Sequence, residues 1–132
     1  MESSFRAVVI GVGHLGQHHA RILSALDDVD LVGVVDVDRE RARRISSEYG
    51  TEIIEDIRSV LTRVDGVVVA VPTQEHLSVA APLLEAGVSV LVEKPIATSS
   101  TEADVLVRSA ETSGAILAVG HTERHNPAVA VA

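Results

Sequence analysis

Six short apolar runs alternate with longer stretches in which apolar residues recur every three or four positions. The runs lie at Arg6–Ile10, Leu31–Asp36, Thr51–Ile54, Gly66–Val71, Ser89–Glu93 and Ala115–Gly120. Most are dense in Val and Ile, and they read as strands buried on both faces. The stretches between them predict helices at about Leu15–Leu26, Arg39–Tyr49, Ile57–Thr62, Glu75–Ala86 and Thr101–Ser113. The boundaries carry their own signals. Gly50, Gly87 and Gly114 fall just past predicted helix ends, where a left-handed residue closes the last turn. Asp38 and Asp56 stand at N-cap positions, and Ser100 is the candidate cap for the last helix. Strands alternating with helices predict an α/β fold with right-handed crossovers: a doubly wound parallel sheet of about six strands in the order 3-2-1-4-5-6.

The first turn of this pattern is chemically specific. Gly11, Gly13 and Gly16 follow the first strand at G-x-G-x-x-G spacing, with His14 and Leu15 between the last two, and a helical stretch comes after. In that context each glycine has a physical task. Gly11 permits the tight turn, Gly13 lets a pyrophosphate approach the backbone, and Gly16 lets the helix pack closely on the sheet. The helix N-terminus then offers N–H groups and a positive dipole end to the phosphates. The doubly wound sheet is thereby read as a Rossmann dinucleotide-binding fold. Asp36 ends the second strand 20 residues beyond Gly16, where a carboxylate accepts hydrogen bonds from the adenosine ribose. It would also repel a 2′-phosphate, so the expected cofactor is NAD rather than NADP. Arg39, followed by Arg41, Arg43 and Arg44, is the competing signal, because arginines here can hold a 2′-phosphate; charge runs of this kind usually face water.

Ligands of such a sheet bind beyond the carboxyl ends of the strands, where the strand order reverses. Three further polar clusters fall there: Val71-Pro72-Thr73 with His76 close behind, Glu93-Lys94-Pro95, and Gly120-His121. Pro72 stops its strand, and Thr73 is placed to cap the next helix while offering a hydroxyl to a ligand. His76 falls in the first turn of that helix, where a surface or capping role competes with one beside the cofactor. Lys94 closes a buried strand ahead of a proline, an odd site for a solvated charge. There it suits the task of hydrogen-bonding a substrate hydroxyl and shuttling its proton while hydride leaves the same carbon.

Composition narrows the partners. Hydrophobic residues make up 46% of the 132, charged residues 23% and aromatics 2%, so the core has to be built from Val, Ala, Leu and Ile. A formal net charge of −8 disfavours nucleic acid and anionic membranes, although a phosphate site built from backbone N–H groups is unaffected. There is no cysteine, hence no disulfide framework and no thiolate metal site. No apolar run approaches the roughly 18 residues of a membrane span, and residues 1–6 lack a signal-peptide core, so a cytoplasmic protein is expected. Of the six histidines, His18 and His19 are adjacent and point to different helix faces. His121 and His125 have i, i+4 spacing but no third ligand nearby, so no metal is expected.

The set Gly11, Gly13, Gly16 and His19, with Asp36, Pro72-Thr73, His76 and Glu93-Lys94-Pro95, resembles the N-terminal NAD(P)-binding domain of the glucose-fructose oxidoreductase/inositol dehydrogenase/MocA family. The resemblance covers nearly the whole chain. It implies hydride transfer between a nicotinamide and a hydroxyl or carbonyl of a sugar, cyclitol or sugar nucleotide. It places Lys94 beside the nicotinamide and suggests a cis Lys94–Pro95 peptide. The stretch Val119 to Ala128 is similar to that of the subgroup acting on UDP-N-acetylated sugars, such as UDP-N-acetylglucosamine 3-dehydrogenases, with His125 where an aromatic is usual. Family enzymes continue into a second α/β domain that carries the substrate wall and commonly the oligomer interface. Residues 1–120 are accordingly read as the dinucleotide-binding domain and 121–132 as the start of a linker into a C-terminal domain absent from this chain, the parent being a homo-oligomer through that domain. Two functional readings stay open: the cofactor half of a dehydrogenase, inactive by itself, or a stand-alone dinucleotide-binding or sensing module. A different ligand such as S-adenosylmethionine or FAD is disfavoured by Glu93-Lys94-Pro95.

Overall fold

The computed structural model describes residues 4–120. Strand β1 (Phe5–Ile10) leads into helix α1 (His14–Ala25), then β2 (Val29–Val35), α2 (Arg39–Tyr49) and the short β3 (Glu52–Ile53). A 3₁₀ segment, Ile57–Arg63, precedes β4 (Gly66–Val69), and a second, Thr73–Glu75, runs into α3 (His76–Glu85). Strand β5 (Ser89–Glu93), helix α4 (Ser100–Ser113) and β6 (Leu117–Gly120) complete it. All six strands are parallel, in the order β3-β2-β1-β4-β5-β6, as the alternation of runs predicts.

Successive strand residues point to opposite faces, so each central strand feeds two cores. Val9, Val34 and Val68 pack with Ala20 of α1 and Ile45 of α2 on one face. Val8, Ile10, Val67, Val69, Val90 and Val92 pack with Leu83 and Leu84 of α3 and Leu106 of α4 on the other. Burying each such side chain stabilises the fold by about 1.5–3 kcal/mol before entropy is counted, which lets a core almost without aromatics suffice.

Some boundaries and caps differ from expectation. The stretch from Ile57 is a 3₁₀ helix rather than an α-helix. At three residues per turn it keeps Ile57 and Val60 on the core side over a connection only seven residues long. The fifth helix is capped by Ser99, whose hydroxyl accepts from Glu102 N–H, and Ser100 is its first helical residue. Thr73 caps nothing: it opens the 3₁₀ turn after Pro72, and α3 proper starts at His76 with no side-chain cap. Strand β4 stops at Val69 and β2 at Val35, leaving Val71 and Asp36 in the loops beyond. Asp38 and Asp56 cap as expected, each accepting a backbone N–H. Gly50, Gly87 and Gly114 all take positive φ. The Lys94–Pro95 peptide is cis.

The glycine turn is set by close approach. Gly11 adopts φ +88°, and a Cβ there would stand 2.6 Å from the Ala70 carbonyl oxygen. A Cβ on Gly16 would overlap the carbonyl oxygen of Gly11. Helix α1 can therefore begin this close to the sheet only on a residue without a side chain. Gly16→Ala is expected to lower the unfolding free energy by about 3 kcal/mol or more in urea titrations, since backbone must move. Gly50→Ala, at φ +64° with nothing within 4 Å of the new methyl, should cost only about 1–2 kcal/mol.

Candidate functional site

The carboxyl ends of β1, β2 and β4 surround a cleft of about 810 Å³ at the point where the strand order reverses. Its floor is the glycine turn, Gly11 and Gly13, with Leu15 beside them. One wall is Asp36, Val37 and Arg41; the other is Ala70, Val71 and Pro72. Ile57, Leu61, Val79, Pro82 and Leu83 give it an apolar flank. The sequence patterns missed that flank, because its parts come from two separate segments that meet only in the fold.

Two features fit this cleft to an anionic, hydroxylated ligand. Helix α1 has Gly13 at its N-cap, with no side-chain cap and no acidic residue in its first turn. Its leading N–H groups are thus left for something other than this chain's side chains, whereas α2 and α4 are capped by Asp38 and Ser99. A Cβ on Gly13 would meet only the Arg41 guanidinium, at 3.6 Å, so this side of the turn is open. The Asp36 carboxylate, 5% exposed, is held by two backbone donors, Val12 N–H at 2.9 Å and Asp38 N–H at 2.8 Å. Each oxygen keeps a further lone pair for a ribose hydroxyl.

Two arginines line the cleft: Arg41, 3.6 Å from Asp36 and 3.9 Å from Asp38, and Arg58, paired with Asp56. Arg39 opens α2, pairs with the exposed Glu55 at 3.3 Å, and lines an adjoining cavity of about 490 Å³ that shares Asp36 and Val37 with the main cleft.

His76 is turned inward. It is 1% exposed, and its ring nitrogens lie 3.0 Å from the carbonyl oxygens of Val71 and Ile96. A neutral ring donates one N–H, so both bonds form together only when each nitrogen carries a proton. His76 lies between the loop after β4 and the loop after Lys94, and it faces the interior rather than the cleft. Glu93 also turns inward: buried at 7%, it accepts from His19 Nε2 at 2.5 Å. His18, by contrast, is exposed and stacks edge-on with His14, whose ring centroid is 5.4 Å away. His14, Gly16 and Thr73 do not line the cleft. Lys94 stands exposed at the end of β5, its backbone N–H donating to the Gly120 carbonyl at 3.1 Å. His121, His125 and the stretch beyond lie outside the described residues.

A parallel sheet whose first glycine turn supports an uncapped helix, with a buried carboxylate at the next strand end, is a dinucleotide-binding domain. The chain belongs to the GFO/IDH/MocA oxidoreductase family, NAD-binding Rossmann fold, matched over residues 5–121. It is 39% identical over 124 residues to UDP-N-acetylglucosamine 3-dehydrogenase of Acidithiobacillus ferrooxidans, covering 94% of this chain and 39% of that protein. The solved structure of that enzyme superposes with a TM-score of 0.90 at 37% identity over 98% of this chain and 42% of its own. GenD2 from gentamicin A biosynthesis, solved in complex with NAD, gives 0.89 at 34% identity over 96% of this chain and 37% of its own. The chain thus spans about two-fifths of the length of these relatives. No helix among the described residues is long and apolar enough to cross a membrane.

His76→Ala removes the buried ring that packs between two loop carbonyls, so unfolding in urea should register a loss of about 2–4 kcal/mol. Thr73→Ala, with no cap to lose, should stay within about 0.5 kcal/mol.

Proposed function

We propose that this chain is the cofactor-binding half of a dehydrogenase that moves hydride between nicotinamide and a secondary hydroxyl or carbonyl of a sugar, cyclitol or sugar nucleotide. The observation that carries this reading is the convergence, at one sheet edge, of the NAD-type cleft and Lys94 at the adjoining end of β5. In it Gly11 and Gly13 bring backbone to the pyrophosphate, Asp36 accepts from the adenosine ribose, and the Val79, Pro82 and Leu83 flank with exposed Val37 shields the adenine. NAD, when bound, accepts or supplies the hydride. Lys94 hydrogen-bonds the reacting oxygen and takes its proton as the carbonyl forms, or returns it in reduction.

Asp36 with both oxygens fixed near the turn favours NAD over NADP, because a 2′-phosphate would meet a buried carboxylate. Arg41 partly offsets that charge. Residues 1–120 form the cofactor domain in this reading and 121–132 lead toward a substrate domain. A cytoplasmic, homo-oligomeric parent belongs to the same proposal. The relatives' being dehydrogenases supports it over a stand-alone sensing module, and the match to a UDP-N-acetylglucosamine 3-dehydrogenase makes UDP-N-acetylhexosamines the first substrates to try.

Calorimetric titration of the 132-residue chain is expected to give saturable binding with NADH at least about tenfold tighter than NADPH, a difference of about 1.4 kcal/mol. Asp36→Ala should narrow that gap; an unchanged ratio would remove Asp36 from the ribose site. In the whole protein, with UDP-N-acetylglucosamine and NAD as substrates, Lys94→Ala should lower kcat by about 10²–10⁴-fold while NADH affinity stays within about threefold. Near-normal turnover would exclude Lys94 as the proton carrier.

A further inference from the structure

Glu93 and His76 are the polar residues of the described chain that are buried as whole residues, and Glu93, like Asp36, carries a carboxylate held away from solvent. The Glu93 side chain leaves β5 on the face opposite Val92, under α1. There it accepts from His19 Nε2 across 74 residues of sequence. Gly120 of the neighbouring strand makes the room: a Cβ on it would come within 3.3 Å of Glu93 Oε2. A carboxylate in a site of this kind is costly to bury without its partner. An apolar residue would fill the volume as well, so the pair's distinctive property is that it holds two elements at one separation.

Those two elements are the ones the cofactor spans. His19 lies six residues, or about 9 Å, along a rigid helix from Gly13. Glu93 is the residue before Lys94, whose own N–H is tied to Gly120 at 3.1 Å. We propose that His19 is a positioning residue: through Glu93 it sets the separation between the amino end of α1, which holds the pyrophosphate, and Lys94, which serves the nicotinamide end. The inference rests on the placement of Lys94 proposed above. Its consequence is a division of labour, in which His19 governs alignment at the reacting carbon and leaves the affinity for dinucleotide to the glycine turn and Asp36. A displacement of about 1 Å at such a site can cost about 10²-fold in rate.

Lys94 is the only lysine among the 132 residues. Labelling the chain with ¹³C,¹⁵N-lysine therefore gives one backbone amide and one ε-carbon signal, both from Lys94, to follow through an NADH titration. In the unsubstituted chain both signals should move as NADH saturates. In His19→Ala, NADH should bind within about threefold of normal, while the NADH-induced shift at the ε-carbon falls to less than about half. His19→Gln, which keeps an N–H donor toward Glu93, should recover most of it, and it carries the comparison with Glu93→Leu if the alanine variant fails to fold. In the whole protein, His19→Ala should lower kcat about 10–100-fold with little change in KM for NAD. A Lys94 response that survives in His19→Ala or Glu93→Leu overturns the inference. So does a loss that tracks NADH affinity without rescue by glutamine, since that marks a general structural role. If the Lys94 signals of the unsubstituted chain ignore saturating NADH, the placement of Lys94 fails first and the inference with it.

Discussion

Helix α1 rests directly on the carbonyl of Gly11, and most of the site follows from that contact. Because Gly16 has no Cβ, the helix can start at His14, close over the end of β1. Because the helix starts there, its cap is a glycine, and Gly13 and Leu15 line the cleft. The turn is held from both sides, with Gly11 N–H donating to Val35 at 2.7 Å and Ala70 N–H to Ile10 at 2.8 Å. The Val12 N–H bond to Asp36 then fastens the turn to the end of β2. A side chain at position 16 would lift the helix and release each of these in turn.

The polar residues at the carboxyl edge of the sheet divide into two sets. One set faces the cleft: the glycine turn, Asp36 and Arg41, with Lys94 at the neighbouring strand end. The other faces inward and ties elements together: His76 between two loops and Glu93 to His19. Among the described residues no buried side-chain nitrogen or oxygen lacks a partner. The inward set is consistent with a core of small aliphatic side chains, which pack well but leave loop carbonyls at the sheet edge to be satisfied by long-range donors.

Much of this was legible in the order of residues. The strand order follows from alternating runs and the handedness of crossovers. The glycines and Asp36 follow from spacings that one backbone geometry imposes. Arg41 was not singled out, because a charge run marks a helix face without saying which arginine turns toward the glycine turn. The inward turn of His76 gave no signal, because a histidine after Pro72-Thr73 has the same appearance whether it meets a ligand or the carbonyls of Val71 and Ile96. The apolar flank of the cleft, drawn from Ile57, Leu61, Val79 and Pro82, gave no local signal at all.

The sequence by itself determined what depends on local sterics: where strands run, where φ must be positive, where a Cβ is forbidden, and that a carboxylate follows β2. These are demands that a few adjacent residues place on their own backbone. Tertiary structure alone decided the direction of each long polar side chain, because that depends on groups far away in the chain. Glu93 meets His19 across 74 residues, and Asp36 meets Val12 across 24. No short-range pattern encodes such a meeting; it exists only once the sheet has brought the two ends of the chain together.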